Sequence, residues 1–130
     1  MRFPNLVEKY LDGEKLFRHY YGEMGRGATF HKLARWAAEN GMETPEPRFD
    51  KRLGWTNVPS DMGVLKACWR WASLKENKDK AYQYFQVFMQ QRGDYCSPEE
   101  WRTLVMNKAK VAWQYSPDKY QTFLVKNGWV

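Results

Sequence analysis

The chain has 130 residues and a mass of 15.6 kDa; 43% of it is hydrophobic and 28% charged, with no low-complexity run. That balance excludes a disordered chain, and the length, that of one ordinary domain, counts against two independent cores and predicts one domain over residues 1–130. Lys and Arg number 21 against 15 Asp and Glu, a net charge of +6 spread along the chain, which excludes an acidic mimic of nucleic acid and suits a partner bearing phosphate.

Apolar residues recur at helical spacing in segment after segment, and strict alternation never persists long enough to require strands, so the expected class is all-α, with about six helices, short loops and one longer irregular segment near 43–60. Pro4 can open a first helix carrying Leu6, Val7, Tyr10 and Leu11, which Asp12-Gly13 interrupts. A second helix begins near Glu14, with Leu16, Phe17, Tyr20 and Tyr21 as its stripe and Lys15, Arg18 and His19 on the other side. The glycine-rich run Gly22-Glu23-Met24-Gly25-Arg26-Gly27 ends it. Thr29 is the expected N-cap of a third helix whose inward residues are Phe30, Leu33, Ala34 and Ala37, and Asn40-Gly41 is its stop. His31, Lys32, Arg35 and Trp36 fall outside that stripe.

Between 43 and 60, Pro45, Pro47, Pro59 and Gly54 break the period, leaving room for one helical turn around 48–53. Phe49, Leu53, Trp55 and Val58 predict that this segment packs on the domain. Ser60 and Asp61 cap a helix reaching 74, where Met62, Val64, Leu65, Cys68, Trp69, Trp71 and Ala72 fill half the circumference; so wide an arc predicts the central helix. Its polar strip is Lys66, Arg70 and Ser73. The next helix runs to 91 with Ala81, Tyr82, Tyr84, Phe85, Phe88 and Met89 inward, an uncharged outer face of Gln83, Gln86 and Gln90, and Gly93 as the stop. Ser97-Pro98-Glu99-Glu100 has the pattern of a capping box before a helix bearing Trp101, Leu104, Val105, Ala109 and Ala112. Lys108 lies within that apolar stripe and is expected to snorkel to solvent. Ser116-Pro117-Asp118 restarts the pattern for a last helix with Tyr120, Phe123 and Leu124 before Asn127-Gly128, and the two Ser-Pro starts read as the same start chemistry used twice.

Cys68 and Cys96 form neither a CxxC pair nor a zinc spacing and are expected to be reduced thiols. Met1-Arg2-Phe3-Pro4 lacks the apolar stretch of a signal peptide and no apolar run approaches a membrane span, so a cytoplasmic protein without membrane partners is expected. His19 and His31 sit on neighbouring helices but lack carboxylate or thiolate company at ligand spacing; both read as solvated histidines, and no metal or other cofactor is implied. The serines at 60, 97 and 116 are spent as caps, no GxSxG occurs, Cys68 falls on an apolar arc, and Glu99-Glu100 and Glu43 with Glu46 read as helix-start acids. No reaction and no small-molecule substrate is implied, so the expectation is a protein that is not an enzyme.

Gly25-Arg26-Gly27 before Thr29 reads as an interhelical turn; it aims amides and a cation outward but lacks the spacing of a phosphate-binding P-loop. Leu33, Ala37, Gly41 and Met42 resemble the first half of the helix-turn-helix of DNA-binding proteins, over about 20 residues. Pro45 and Pro47 stand where the recognition helix would begin, so no base-reading residue is carried over.

The broader signal is cations beside aromatics: Arg26, Lys32 and Arg35 with Trp36; Arg48, Lys51 and Arg52 with Trp55; Lys66 and Arg70 with Trp69. Such pairs suit phosphate contact combined with base stacking. The leading expectation is therefore non-enzymatic binding of DNA or RNA through that patch. The alternative is a protein-interaction module, such as a phage-type inhibitor or adaptor of a larger nucleic-acid-processing complex, anchored by Trp36, Trp55, Trp113 and Trp129 with the Gln83-Gln86-Gln90 face. Those four tryptophans are the rings that the expected core does not account for.

Overall fold

Asp12, Thr29, Ser60 and Ser97 each present a side-chain oxygen to a backbone amide three residues on, and a helix begins after each. The architecture, in a computed structural model that describes residues 10–24, 29–113 and 116–130, is mostly helical: α1 (Gly13–Arg18), α2 (Phe30–Glu39), β1 (Arg48–Asp50), β2 (Gly54–Thr56), α3 (Asp61–Ser73), α4 (Lys78–Gln91), α5 (Pro98–Ala112) and α6 (Pro117–Lys126). The expected first helix, apart from Tyr10 and Leu11, and the turn containing Arg26 lie outside the described residues. No described helix is long and apolar enough to cross a membrane.

As its apolar arc predicts, α3 is central and packs against α1, α2, α4 and α5. Val64, Cys68, Trp69 and Ala72 are fully buried on it. Met62 departs from the expectation: second in the helix, within its first turn, it is exposed. Trp69 meets Phe17 edge-on at 5.3 Å and Trp101 at 5.9 Å, while Tyr21 meets Phe85 at 5.0 Å and Phe88 at 5.2 Å. These edge and tilted contacts are the geometries that ring quadrupoles favour, so most of the aromatic content is core. Burial pushes the Cys68 thiol far above its ordinary range, which keeps it protonated and inert. In Cys96 burial acts in the same direction, reinforced by the charges of Glu100 and Asp94.

Four expectations are corrected. The helix of α1 ends inside the glycine-rich run, at Glu23, as expected, but not as a regular α-helix: its last five residues, His19–Glu23, form a π-helical turn closed by the Met24 amide on the His19 carbonyl. The segment 48–53 is no helical turn: Arg48–Asp50 and Gly54–Thr56 form an antiparallel hairpin in which Phe49 faces Trp55. The carboxylate of Asp50 caps its loop, accepting from the amides of Arg52 (2.7 Å) and Leu53 (3.2 Å), and Gly54 supplies the positive φ of 73° needed to re-enter the strand. The two Ser-Pro starts also differ. Ser97 and Glu100 form the reciprocal capping box, whereas the Ser116 side chain makes no capping bond. Finally, Trp129 is a core residue, only 3% exposed, whose Nε1 donates to the Ser73 carbonyl at 2.7 Å. That carbonyl ends α3, so the indole satisfies one of the acceptors a helix C-terminus leaves open. Lys108 is half-buried and makes no ion pair among the described residues, as a snorkelling lysine does.

Candidate functional site

The hairpin presents two large rings to solvent. Phe49 is 62% exposed and Trp55 74%, and their rings meet edge-on with centroids 5.8 Å apart. The expectation that the segment packs on the domain thus fails for both rings, and the reading of Trp55 as a ring outside the core holds, because as directly opposed residues they share one face of a two-stranded ribbon, and that face points to solvent. The other face anchors. Arg48 donates from Nε to the Val58 carbonyl (2.9 Å) and from Nη2 to the buried Pro59 carbonyl (3.1 Å), while Thr44 and Asn57 exchange backbone and side-chain bonds across the hairpin's base. The rings are therefore held by a fixed scaffold.

Charge around them is graded. Arg52 is half-exposed and bonds Asp50 (3.4 Å) and Asp61 (3.2 Å), which raise its affinity for the proton. Asp50 is lowered to about 2, first by the Arg52 amide, against the opposing effect of burial, then by the Arg52 guanidinium and the Leu53 amide. Lys51, at the tip, is exposed and pairs with no carboxylate among the described residues.

The α2 group of cations is only partly where the sequence puts it. Lys32 and Arg35 are exposed on the outer surface of α2. Trp36 is half-buried and stacks on His19, with centroids 3.8 Å apart and planes 8° from parallel. His19 is consequently not solvated; its side chain is 15% exposed and its Nδ1 lies 2.6 Å from Glu23 Oε1. His31 stays apart, bonding Thr29 Oγ1 at 3.2 Å, so the two histidines form no pair. The stack forms one wall of a cleft of ≈ 430 Å³ whose lining includes Lys15, Arg18 and Tyr84. The sequence singled out none of these three as site residues, nor Phe49. The nearest signal was the shared polar side of Lys15, Arg18 and His19.

The remaining candidates range from buried to exposed. Arg70 is 5% exposed, donates to the Ala112 carbonyl at 2.7 Å and lies 4.0 Å from the centre of the Trp113 ring, which is itself half-buried, so the guanidinium and that ring are engaged with each other. Lys66 is half-buried, and desolvation, aided by the charge of Arg70, lowers its proton affinity. Gln86 leaves the expected outer face: its amide donates to Tyr82 Oη (3.1 Å) and its carbonyl accepts from the Cys96 amide (3.0 Å). Gln83 and Gln90 remain exposed. No cluster of potential metal ligands occurs among the described residues. Beyond the first half already noted, the helix-turn-helix resemblance goes no further, since α2 is followed by the hairpin and not by a second helix. No protein-family model, curated protein or solved structure matches the chain.

Proposed function

We propose that the protein binds single-stranded nucleic acid, without catalysis, through the hairpin that carries Phe49 and Trp55. One observation carries this reading: two large rings, paired across a rigid ribbon and mostly exposed, stand beside Lys51 and Arg52 on a chain of charge +6. Exposed rings on a fixed backbone are stacking platforms for unpaired bases, and lysine and arginine beside them meet the phosphates. A duplex, its bases already stacked, offers such rings little. Lys32 and Arg35 add to the positive field that draws the strand in.

Fluorescence anisotropy of a labelled single-stranded oligonucleotide at low salt tests the proposal. A stacked base contributes about 1–3 kcal/mol, so Trp55→Ala and Phe49→Ala are each expected to weaken binding by about 5- to 150-fold. Lys51→Glu should both weaken it and flatten its salt dependence. Undetectable binding, or an affinity that ignores both ring substitutions, would refute the reading. A second reading, a protein partner anchored by the same rings, draws on the exposed and uncharged run of Gln83, Val87 and Gln90 along α4. A host pull-down that survives nuclease and is lost in Trp55→Ala would establish that reading in place of the first.

A further inference from the structure

We infer that the cleft between α1 with its π-helical turn, α2 and α4 takes a nucleoside monophosphate unit, the phosphate on Lys15 and Arg18 and the base against the aromatic walls; the inference rests on the nucleic-acid reading above and places a second contact on the same molecule. The cleft's ≈ 430 Å³ lies in the range of small-ligand sites. Three features point to this ligand class.

The first is charge left over. The acids near the cleft are engaged: Glu14 accepts from Tyr84 Oη (3.2 Å) and Lys80 Nζ (3.4 Å), and Glu23 holds His19. Lys15 and Arg18 pair with no carboxylate among the described residues. Both side chains are exposed at the lining of a concave surface, where low-dielectric walls focus the field on an entering anion. The second is flat walls. Trp36 is stacked flat on the His19 imidazole, and both line the cleft, while Tyr84 lies under the Arg18 guanidinium, 5.7 Å from ring centre to Cζ. Rings braced in this way lose little freedom when a base settles on them. The third is the π-helical turn itself. Such insertions are uncommon and frequently mark functional sites, and this one starts at His19 and carries Glu23 at its end, whose carboxylate holds the imidazole that stacks on Trp36.

A nuclear magnetic resonance titration of the full chain, following the Trp36 indole and His19 imidazole, tests the site. Adenosine 5′-monophosphate should shift both signals saturably, while adenosine and inorganic phosphate, each lacking one half of the ligand, should bind at least about tenfold more weakly. The double variant Lys15→Gln, Arg18→Gln should lose the nucleotide response, and Trp55→Ala should retain it. A short single strand with a 5′-phosphate that shifts the same signals at lower concentration than its 5′-hydroxyl counterpart would identify a strand end as the source; equal behaviour of the two strands, with the nucleotide response intact, would identify a free nucleotide. Absence of any shift at about 10 mM nucleotide, where even millimolar affinities saturate, would overturn the inference. So would a response unchanged in the double variant. Either result leaves hairpin-dependent strand binding standing, and loss of hairpin binding leaves the nucleotide titration to be read independently.

Discussion

Gly13 is where α1 comes closest to α3, and replacing it with alanine tests that approach. A Cβ at Gly13 would lie 2.5 Å from both the Ala67 carbonyl oxygen and Trp71 Cβ, about 1 Å inside ordinary contact. Neither obstacle is the end of a flexible side chain, so relief requires the two helices to separate. Overpacking of this kind costs about 1–3 kcal/mol. Alanine's better helix propensity returns at most about 1 kcal/mol in a helix interior and less in a first turn, so the net expectation is a loss of about 1–2 kcal/mol. Urea unfolding followed by tryptophan fluorescence and circular dichroism should show a lower midpoint at unchanged slope. Gly22→Ala is the matched control. Nothing lies within 4 Å of the Cβ it would gain and its φ is not positive, so it should be neutral or stabilising by up to about 1 kcal/mol. If Gly13→Ala were as stable as the parent, the close approach of α1 to α3, and the seating of Lys15, Arg18 and His19 that depends on it, would be wrong.

Three further outcomes are expected. Trp129→Phe leaves the terminal carbonyl of α3 without its donor and should cost about 1–3 kcal/mol in the same unfolding assay; no change would mean that the indole is not a cap. Ser97→Ala should cost about 1 kcal/mol and Ser116→Ala much less, because only Ser97 accepts a capping bond; equal losses would contradict the difference between the two starts. Because the carboxyl of Asp50 is lowered to about 2 in the folded hairpin, below its unfolded value of about 3.9, the stability it contributes is full above about pH 4 and is lost as pH falls toward 2. The amide signals of Arg52 and Leu53 should report that low midpoint and lose it in Asp50→Asn, whereas a midpoint near 4 would show that the loop is not capped as described.

What could be read in advance was chemistry local to the chain. Thr29, Ser60 and Ser97 are short polar residues placed just before apolar periods, and they cap the helices that follow. The hairpin was hidden because Asp50-Lys51-Arg52-Leu53 is acceptable in a helical turn, and because strands of three residues are too short for alternation to show. Its true signals were Asp50 at the turn's start, Gly54 at its end and an aromatic on either side. The cleft was illegible for another reason. A helical wheel does place Lys15, Arg18 and His19 on one side, because His19 still bonds back to Lys15 in α-helical geometry, but it says nothing of which residue of a neighbouring helix that side meets, so the facing of His19 on Trp36 could not be read from it.

The misplacement of Trp129 has a different cause, one that a single rule would have removed. Helices α2, α4 and α6 all end in the same motif: a glycine of positive φ at Gly41, Gly93 and Gly128, with the following amide bonded back to Ala37, Met89 and Leu124. In this Schellman arrangement the residue after the glycine is turned back along the helix it has just left, and an apolar residue there meets the last turn. Met42 after Asn40-Gly41 is buried, and so is Trp129 after Asn127-Gly128, whereas the polar Asp94 after Arg92-Gly93 stays outside. Reading glycine as a stop discards that information; reading it as a reversal assigns Met42 and Trp129 to the core from sequence. By the same logic Trp55, which follows a positive-φ glycine that ends no helix, has no last turn to fold back on, and its exposure on the ribbon follows from where Gly54 stands.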